Sequence, residues 1–506
     1  MNTWANRRDY LFRSTKGLIA LAIALVALIT AVWGTLSGPM AEWGIRDITI
    51  RVLGMAIHPE QREGRIIMLY HVIAMAVVAI ETYMITSTVR MTEEEQSNIN
   101  GLVTIGYLLT MFFGLGFAYF GHNYAFHGLF IAGQSLLFFA GCMLAKALWP
   151  WKKSTYLEKG SPYARTPKGI DLERAAFFTM TVATLGSACF GAVTGSFWGN
   201  GHETFLAENL IRIPHKTGLQ LSIIGHLHIM LTLVAVAITL LVGRWLDFKG
   251  IWHKISMPLM IFGSITITLG VWTVVPFENI AHTIIYVGAV FTMTAALMLV
   301  IFGWKKLIGE RLAEVGIAKA NLFQGVKALV HDPLKFGPLW QMVFMNFTVS
   351  GVGIFMAIKL DKIFRIWPAR EERITLTGHW HILAALIATI ILLYYADMCG
   401  LKGKTRQWFG WIVIIGSDIA FGAMTIFSMK RGFVSTYDQQ PLVDWTMILA
   451  DFGLGAIMVV LAMLLLWRIY DFMNRKGAWQ QESSELELAR IPLKQDNSVD
   501  TEEVVQ

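Results

Sequence analysis

The chain has 506 residues, 55% of them hydrophobic and only 15% charged, with a mean hydropathy of +0.54. These values place it with polytopic helical membrane proteins and leave no need for a soluble domain. The formal net charge of +7 mostly reflects basic loops, so no nucleic-acid partner is expected.

Residues 1–16 carry Arg7, Arg8, Arg13 and Lys16 and no small-residue cleavage site, the pattern of an uncleaved cytoplasmic start. Apolar stretches long enough to cross a hydrocarbon core of ~30 Å follow at 17–36, 65–87, 102–120, 125–147, 173–196 and 218–243. Six more lie at 256–274, 281–303, 340–360, 375–394, 409–428 and 444–468. About twelve spans result, and the lipid bilayer, which satisfies no backbone group, requires them to be helices. The alternation of a membrane barrel strand is absent, so the expected fold class is all-α.

An even span count returns the chain to the inside. Loop 146–174, with Lys152, Lys153, Lys159, Arg165, Lys168 and Arg174, and loop 304–335, with Lys305, Lys306, Arg311, Lys319 and Lys327, agree with that topology. Loop 359–373 breaks the rule by bringing Lys359, Lys362, Arg365, Arg370 and Arg373 to the outer face, by snorkelling or to neutralise buried anionic groups. The expected organisation is a membrane domain over 17–470 and a mobile cytoplasmic tail over 471–506. Cys142, Cys189 and Cys399 lack the spacing of a disulfide framework, an iron–sulfur site or covalent haem attachment.

Histidines carry the chemistry. Under this topology His58, His71, His122, His127, His202, His215, His226, His228, His282, His379 and His381 fall in outer loops or outer halves of spans; only His253 and His331 fall inside. Metal or haem ligation at one depth would require such sorting. Two motifs stand out, Gly225-His226-Leu227-His228 and Gly378-His379-Trp380-His381. The segments that start at His71, His228 and His381 resemble one another and lie 157 and 153 residues apart, which predicts three related four-helix units. Because each helical residue turns about 100°, histidines two apart point about 200° from one another. Each His-X-His helix therefore faces two sites, an arrangement that suits haem irons ligated axially by facing helices. The bland alternative is histidines hydrogen-bonded to neighbouring helices.

The span count, a histidine at the outer start of the second span, one in the sixth and His-X-His in the tenth resemble the catalytic subunit of the haem-copper oxidase superfamily. That family includes cytochrome c oxidase subunit I and the nitric oxide reductase large subunit. The resemblance covers roughly residues 10–470, and Thr375-Leu376-Thr377-Gly378-His379-Trp380-His381 looks most like the tenth-span motif of the C-type oxidases. It implies His71 and His381 as axial ligands of a low-spin haem and His379 as proximal ligand of a second haem. It also implies Lys430 and Arg431 as partners of haem propionates.

The chain departs from that pattern at the copper site. Residues 251–276 contain only His253, on the inner side, and no His-His pair, so copper is not expected. Glu278 and His282, four apart on one helical face, could join His226 or His228 as ligands of a non-haem iron, with Tyr286 on the same face. Alternatively, Glu278 sits in an interfacial turn and His282 ligates or contacts a haem. A further alternative pairs the extra sixth-span histidine with His379, which makes the second haem bis-histidine. Asp418, Asp451, Glu81 and Asp397 are intramembrane or near-surface carboxylates without a convincing ladder, and no pumping is inferred.

Three functions follow from the sequence. The first is a respiratory-complex subunit with two or more b haems, passing electrons between quinol and a periplasmic cytochrome c or iron–sulfur partner. The second is a divergent nitric oxide or oxygen reductase with a rebuilt non-haem site. The third is a transition-metal transporter. The expected location is the cytoplasmic membrane of a bacterium or archaeon, with both termini inside.

Overall fold

The computed structural model describes residues 3–36, 40–41, 43–57, 62–121, 123–198, 218–364, 366–367, 369–435 and 438–474. Among the expectations above, those on His58, His122, His202, His215, Arg365, the side chains of Arg370 and Arg373, and the tail beyond 474 lie outside the described residues.

The chain is an all-α polytopic membrane protein. In order, the helices are α1 (Thr3–Arg13), α2 (Thr15–Leu36), α3 (Ile45–Leu53), α4 (Arg62–Thr88), α5 (Glu93–Tyr119), α6 (Tyr124–Ala147), α7 (Leu172–Trp198) and α8 (Gly218–Trp245). There follow α9 (Ile251–Trp272), α10 (Glu278–Glu314), α11 (Leu322–Leu329), α12 (Pro333–Ile358), α13 (Ala369–Met398), α14 (Gly403–Ser428) and α15 (Gln439–Asn474). Twelve of these, all but α1, α3 and α11, are long and apolar enough to cross a membrane. Among the described residues there is no β-strand, and one isolated bridge joins Arg165 to Asp171.

Local chemistry sets the helix ends. Thr92 and Glu95 close a reciprocal capping box at the start of α5, and the Asn123 side chain accepts from the Phe126 N–H at the start of α6. Helix α10 runs eleven residues past the expected end at 303. Ion pairs along its own face, Lys306 with Glu310 at 3.7 Å and Arg311 with Glu314 at 2.9 Å, suit a helical turn that has left the apolar layer. A π-helical turn over Met345–Gly351 interrupts α12.

The three quasi-repeated units are visible in the packing. The third and fourth spans of each unit approach backbone to backbone through a glycine pair. A Cβ on Gly133 would lie 2.7 Å from the Gly106 carbonyl oxygen, one on Gly288 would lie 3.0 Å from that of Gly263, and one on Gly416 would lie 2.9 Å from that of Gly453. Without a hydrophobic drive inside lipid, such close backbone approach is how apolar helices associate. Gly106, Gly263 and Gly416 are spaced by the same 157 and 153 residues as the three histidines.

The second spans of the units, α4, α8 and α13, form the centre, burying Val72, Ala76 and Ala79, then Ile229, Leu233 and Ala237, then Leu386, Ile387 and Ile390 in one core. Helix α1 and the last turns of α15 meet on one face. Arg7 donates to the Met473 carbonyl at 2.6 Å, and Arg468 hydrogen-bonds the Tyr10 hydroxyl. Residues 3–13, expected as a simple leading segment, are therefore a helix docked onto the end of α15.

Candidate functional site

Five histidines form a belt at the end of the bundle opposite α1 and the last turns of α15, carried by α4, α8 and α13. Helix α8 packs against both of the others, and its two histidines divide between them. The His226 ring stands 6.5 Å from that of His71 on α4, nearly parallel at 20°. His228 faces the other way, 6.1 Å from His379 on α13. The two-sided geometry inferred from the spacing is present on α8. On α13 it recurs: His379 meets His228, and the His381 Nε2 hydrogen-bonds the Tyr70 hydroxyl of α4.

Hydrogen bonds fix how these rings are presented. His71 Nδ1 lies 2.8 Å from the Ile67 carbonyl oxygen, His228 Nδ1 2.9 Å from that of Ile224, and His381 Nδ1 2.9 Å from that of Thr377. The partner is in each case the carbonyl four residues earlier on the same helix, so the three repeat-related histidines share one local bond. His226 Nδ1 uses the Ser187 carbonyl of α7 at 3.1 Å. A carbonyl only accepts, so Nδ1 carries the proton in all four rings and a neutral ring offers Nε2 as its lone pair. That orientation is usual for a ligating histidine, whose second nitrogen donates to a carbonyl. His379 differs: its buried Nδ1 makes no well-formed hydrogen bond among the described residues, with the Thr375 and Leu376 backbone of its own helix beside the ring.

Small residues make room for the rings. A Cβ on Gly191 of α7 would lie 2.3 Å from His226 Cε1, and one on Gly353 of α12 would lie 3.3 Å from His379 Cδ2. The glycines inside the motifs do something else. Gly378 lets α13 approach Ser428, and Gly225 sits against Val271 of α9, so both serve helix contact instead of the rings. Trp380 lies edge-on to His228 at 4.5 Å, and its indole N–H donates to His228 Nε2 at 3.0 Å.

A metal taking one imidazole nitrogen from each side at about 2.0–2.1 Å sets the two ring centres on the order of 6 Å apart. The ring centres of His71–His226 and His228–His379 lie at that spacing, with His228 Nε2 accepting from Trp380. The cradle at Gly191 also suits a ring held in a fixed place. The pairing implied by the resemblance, His71 with His381, is not the one seen: His71 stands against His226 and His381 against Tyr70.

The other expected residues are placed as follows. Helix α10 begins at Glu278, so Glu278 and His282 do share a face, and His282 stacks on Tyr286 at 6.3 Å. Among the described residues, no three His, Cys, Asp or Glu side chains gather as a metal cluster. Lys430 is buried, its ammonium 4.7 Å from the Phe427 ring centre, while Arg431 pairs with Glu371 at 2.6 Å and lies over Trp367. Asp418 accepts from the Trp340 indole at 3.0 Å, and Asp397 from Trp245 at 2.7 Å and Arg406 at 2.5 Å. Asp451 is exposed. Glu81 is buried, with Oε1 lacking a partner among the described residues.

Sequence reasoning missed Tyr70, Ser187, Gly191 and Gly353. Only packing brings these to the belt, and no periodicity marks them. The glycine pairs between third and fourth spans did carry a signal, the shared spacing, that would have strengthened the repeat.

The chain was compared with protein-family models, curated proteins and solved structures, and none of them matches.

Proposed function

We propose that this chain is the haem-bearing subunit of a membrane respiratory complex, passing electrons between quinol and a periplasmic partner, a cytochrome c or an iron–sulfur subunit. The observation that carries the proposal is the division of His226 and His228 between His71 and His379, which forms two facing imidazole pairs at one level. In this reading His71 and His226 hold one b haem, and His228 and His379 hold the second. A haem with two imidazole ligands supplies one-electron transfer.

The remaining belt residues serve binding. The Nδ1 bonds to Ile67, Ile224 and Ser187 orient the rings, and the Trp380 N–H holds the His228 lone pair until a ligand takes its place. Lys430 and Arg431, just beyond α14 on the belt face, provide cations for propionate groups. The basic inside loops support a cytoplasmic membrane location in a bacterium or archaeon, with both ends inside.

The pyridine haemochrome of the purified protein tests this directly. Two b haems per chain are expected, and a preparation that binds no haem under reconstitution overturns the proposal and leaves metal transport as the better reading.

A further inference from the structure

The belt closes on itself. Helix α8 meets α4 through His226 and His71, α13 meets α8 through His379 and His228, and α4 meets α13 through Tyr70 and His381. Two of these junctions are histidine pairs; the third is a phenol on an imidazole. It is also the open one. Tyr70 is 46% exposed and His381 is exposed too, although both belong to apolar spans. Tyr70 is the ninth residue of α4 and His381 the thirteenth of α13, so both lie in the leading halves of helices apolar enough to cross a membrane, and an aromatic ring with a polar tip suits such a place.

The direction of the hydrogen bond is fixed. His381 Nδ1 donates to the Thr377 carbonyl, so Nε2 accepts and the Tyr70 hydroxyl donates. The ring centres are 5.7 Å apart. A phenolic O–H is thus already seated on an oriented imidazole lone pair, at a place open to the bilayer.

We propose that the Tyr70–His381 junction is a docking site for the head group of a membrane quinol, with Tyr70 as its internal stand-in. A quinol is an aromatic diol, and one of its hydroxyls donates to His381 Nε2 in place of Tyr70. This rests on the electron-transfer reading and names where the donor binds; the binding itself requires no redox step.

The test is photolabelling of the full chain in lipid nanodiscs with an azido-substituted decyl hydroquinone kept reduced by ascorbate, followed by peptide mapping. Adducts on α4 around Tyr70 and on α13 around His381 are expected. Tyr70→Phe, which removes the competing donor, should lower the half-saturating probe concentration about fivefold, the worth of one neutral hydrogen bond. His381→Leu should raise it tenfold or more, and His381→Gln, which keeps an acceptor oxygen, should recover part of the loss. Adducts confined to other helices, or equal saturation curves for all four proteins, overturn the site. Labelling does not depend on haem, so a chain without haem but labelled at this junction would defeat the electron-transfer reading and leave the docking site standing.

Discussion

The two ends of the bundle treat histidine in opposite ways. In the belt, four rings donate Nδ1–H to carbonyls, and the Nε2 lone pairs of His228 and His381 meet Trp380 and Tyr70 on neighbouring helices. At the other end, fully buried His253 accepts from the Ala164 N–H at Nδ1, 2.9 Å away, and aims Nε2 at Glu173, 4.0 Å away. Glu173 is in turn paired with Arg244 at 2.8 Å, and Arg244 donates to the Thr88 carbonyl at 2.7 Å. The lone pair of His253 is spent on a loop. The difference is one of protonation and partner: the belt rings carry their proton on Nδ1 and leave Nε2 as acceptor, while His253 accepts at Nδ1 and so fastens loop 161–171 to the membrane helices.

Replacing histidines separates the two ends most strongly. His71→Ala and His379→Ala should each reduce haem content from two per chain to one, whereas His253→Gln should leave two, as read by pyridine haemochrome. A full complement in His379→Ala would remove His379 from the site. Next in size is the far-end ion pair. Arg244→Leu strands the buried Glu173 carboxylate and should cost about 3 kcal/mol, measured as a lowered thermal midpoint in detergent with haem spectra unchanged. An unchanged midpoint would mean that this network does not hold the end together.

Smaller effects sharpen the belt itself. Gly191→Ala drives a methyl into His226, with overpacking costs of about 1–3 kcal/mol. Gly353→Ala only brushes His379, at 3.3 Å. Haem occupancy should therefore fall clearly in the first and little in the second, and the reverse order would contradict the described packing.

The smallest effect is a pH dependence at the far end. Tyr163 donates to Asp247 at 2.6 Å; that hydrogen bond, together with burial, raises the phenol to about 12. Burial alone would raise Asp247, but hydrogen bonds from Lys249 and Tyr163 outweigh it and lower the carboxyl. A raised phenol contributes stability fully below pH ~10, its ordinary value, and loses it as pH climbs toward 12. Melting of the natural chain should thus weaken between those values, and Tyr163→Phe should flatten that decline.

Much of this arrangement was legible in the sequence, and physics explains which part. Twelve spans follow from lipid's inability to satisfy backbone groups, and the two-faced histidine helices follow from the helical turn alone. The 157 and 153 residue spacing proved to mark a shared Nδ1 bond as well as shared depth. Tyr70 and Gly191 were invisible because their roles arise from which helices touch, and apolar spans look alike on all faces. The choice of partner was illegible for the same reason: spacing shows that His71 faces a neighbour, but the packing of α4 on α8 decides that the neighbour is His226. Helix α3 was too short and mixed in character to register as a span.

If the belt holds haem as proposed, its imidazole pairs would leave no open position on the iron. Carbon monoxide binds a reduced haem iron only where a position is open, so the spectrum of the dithionite-reduced protein with and without the gas tests it most directly. An unchanged spectrum is expected for two bis-histidine haems. A carbon monoxide-bound form in the intact, fully loaded protein would contradict the claim and turn the chain into a candidate gas reductase.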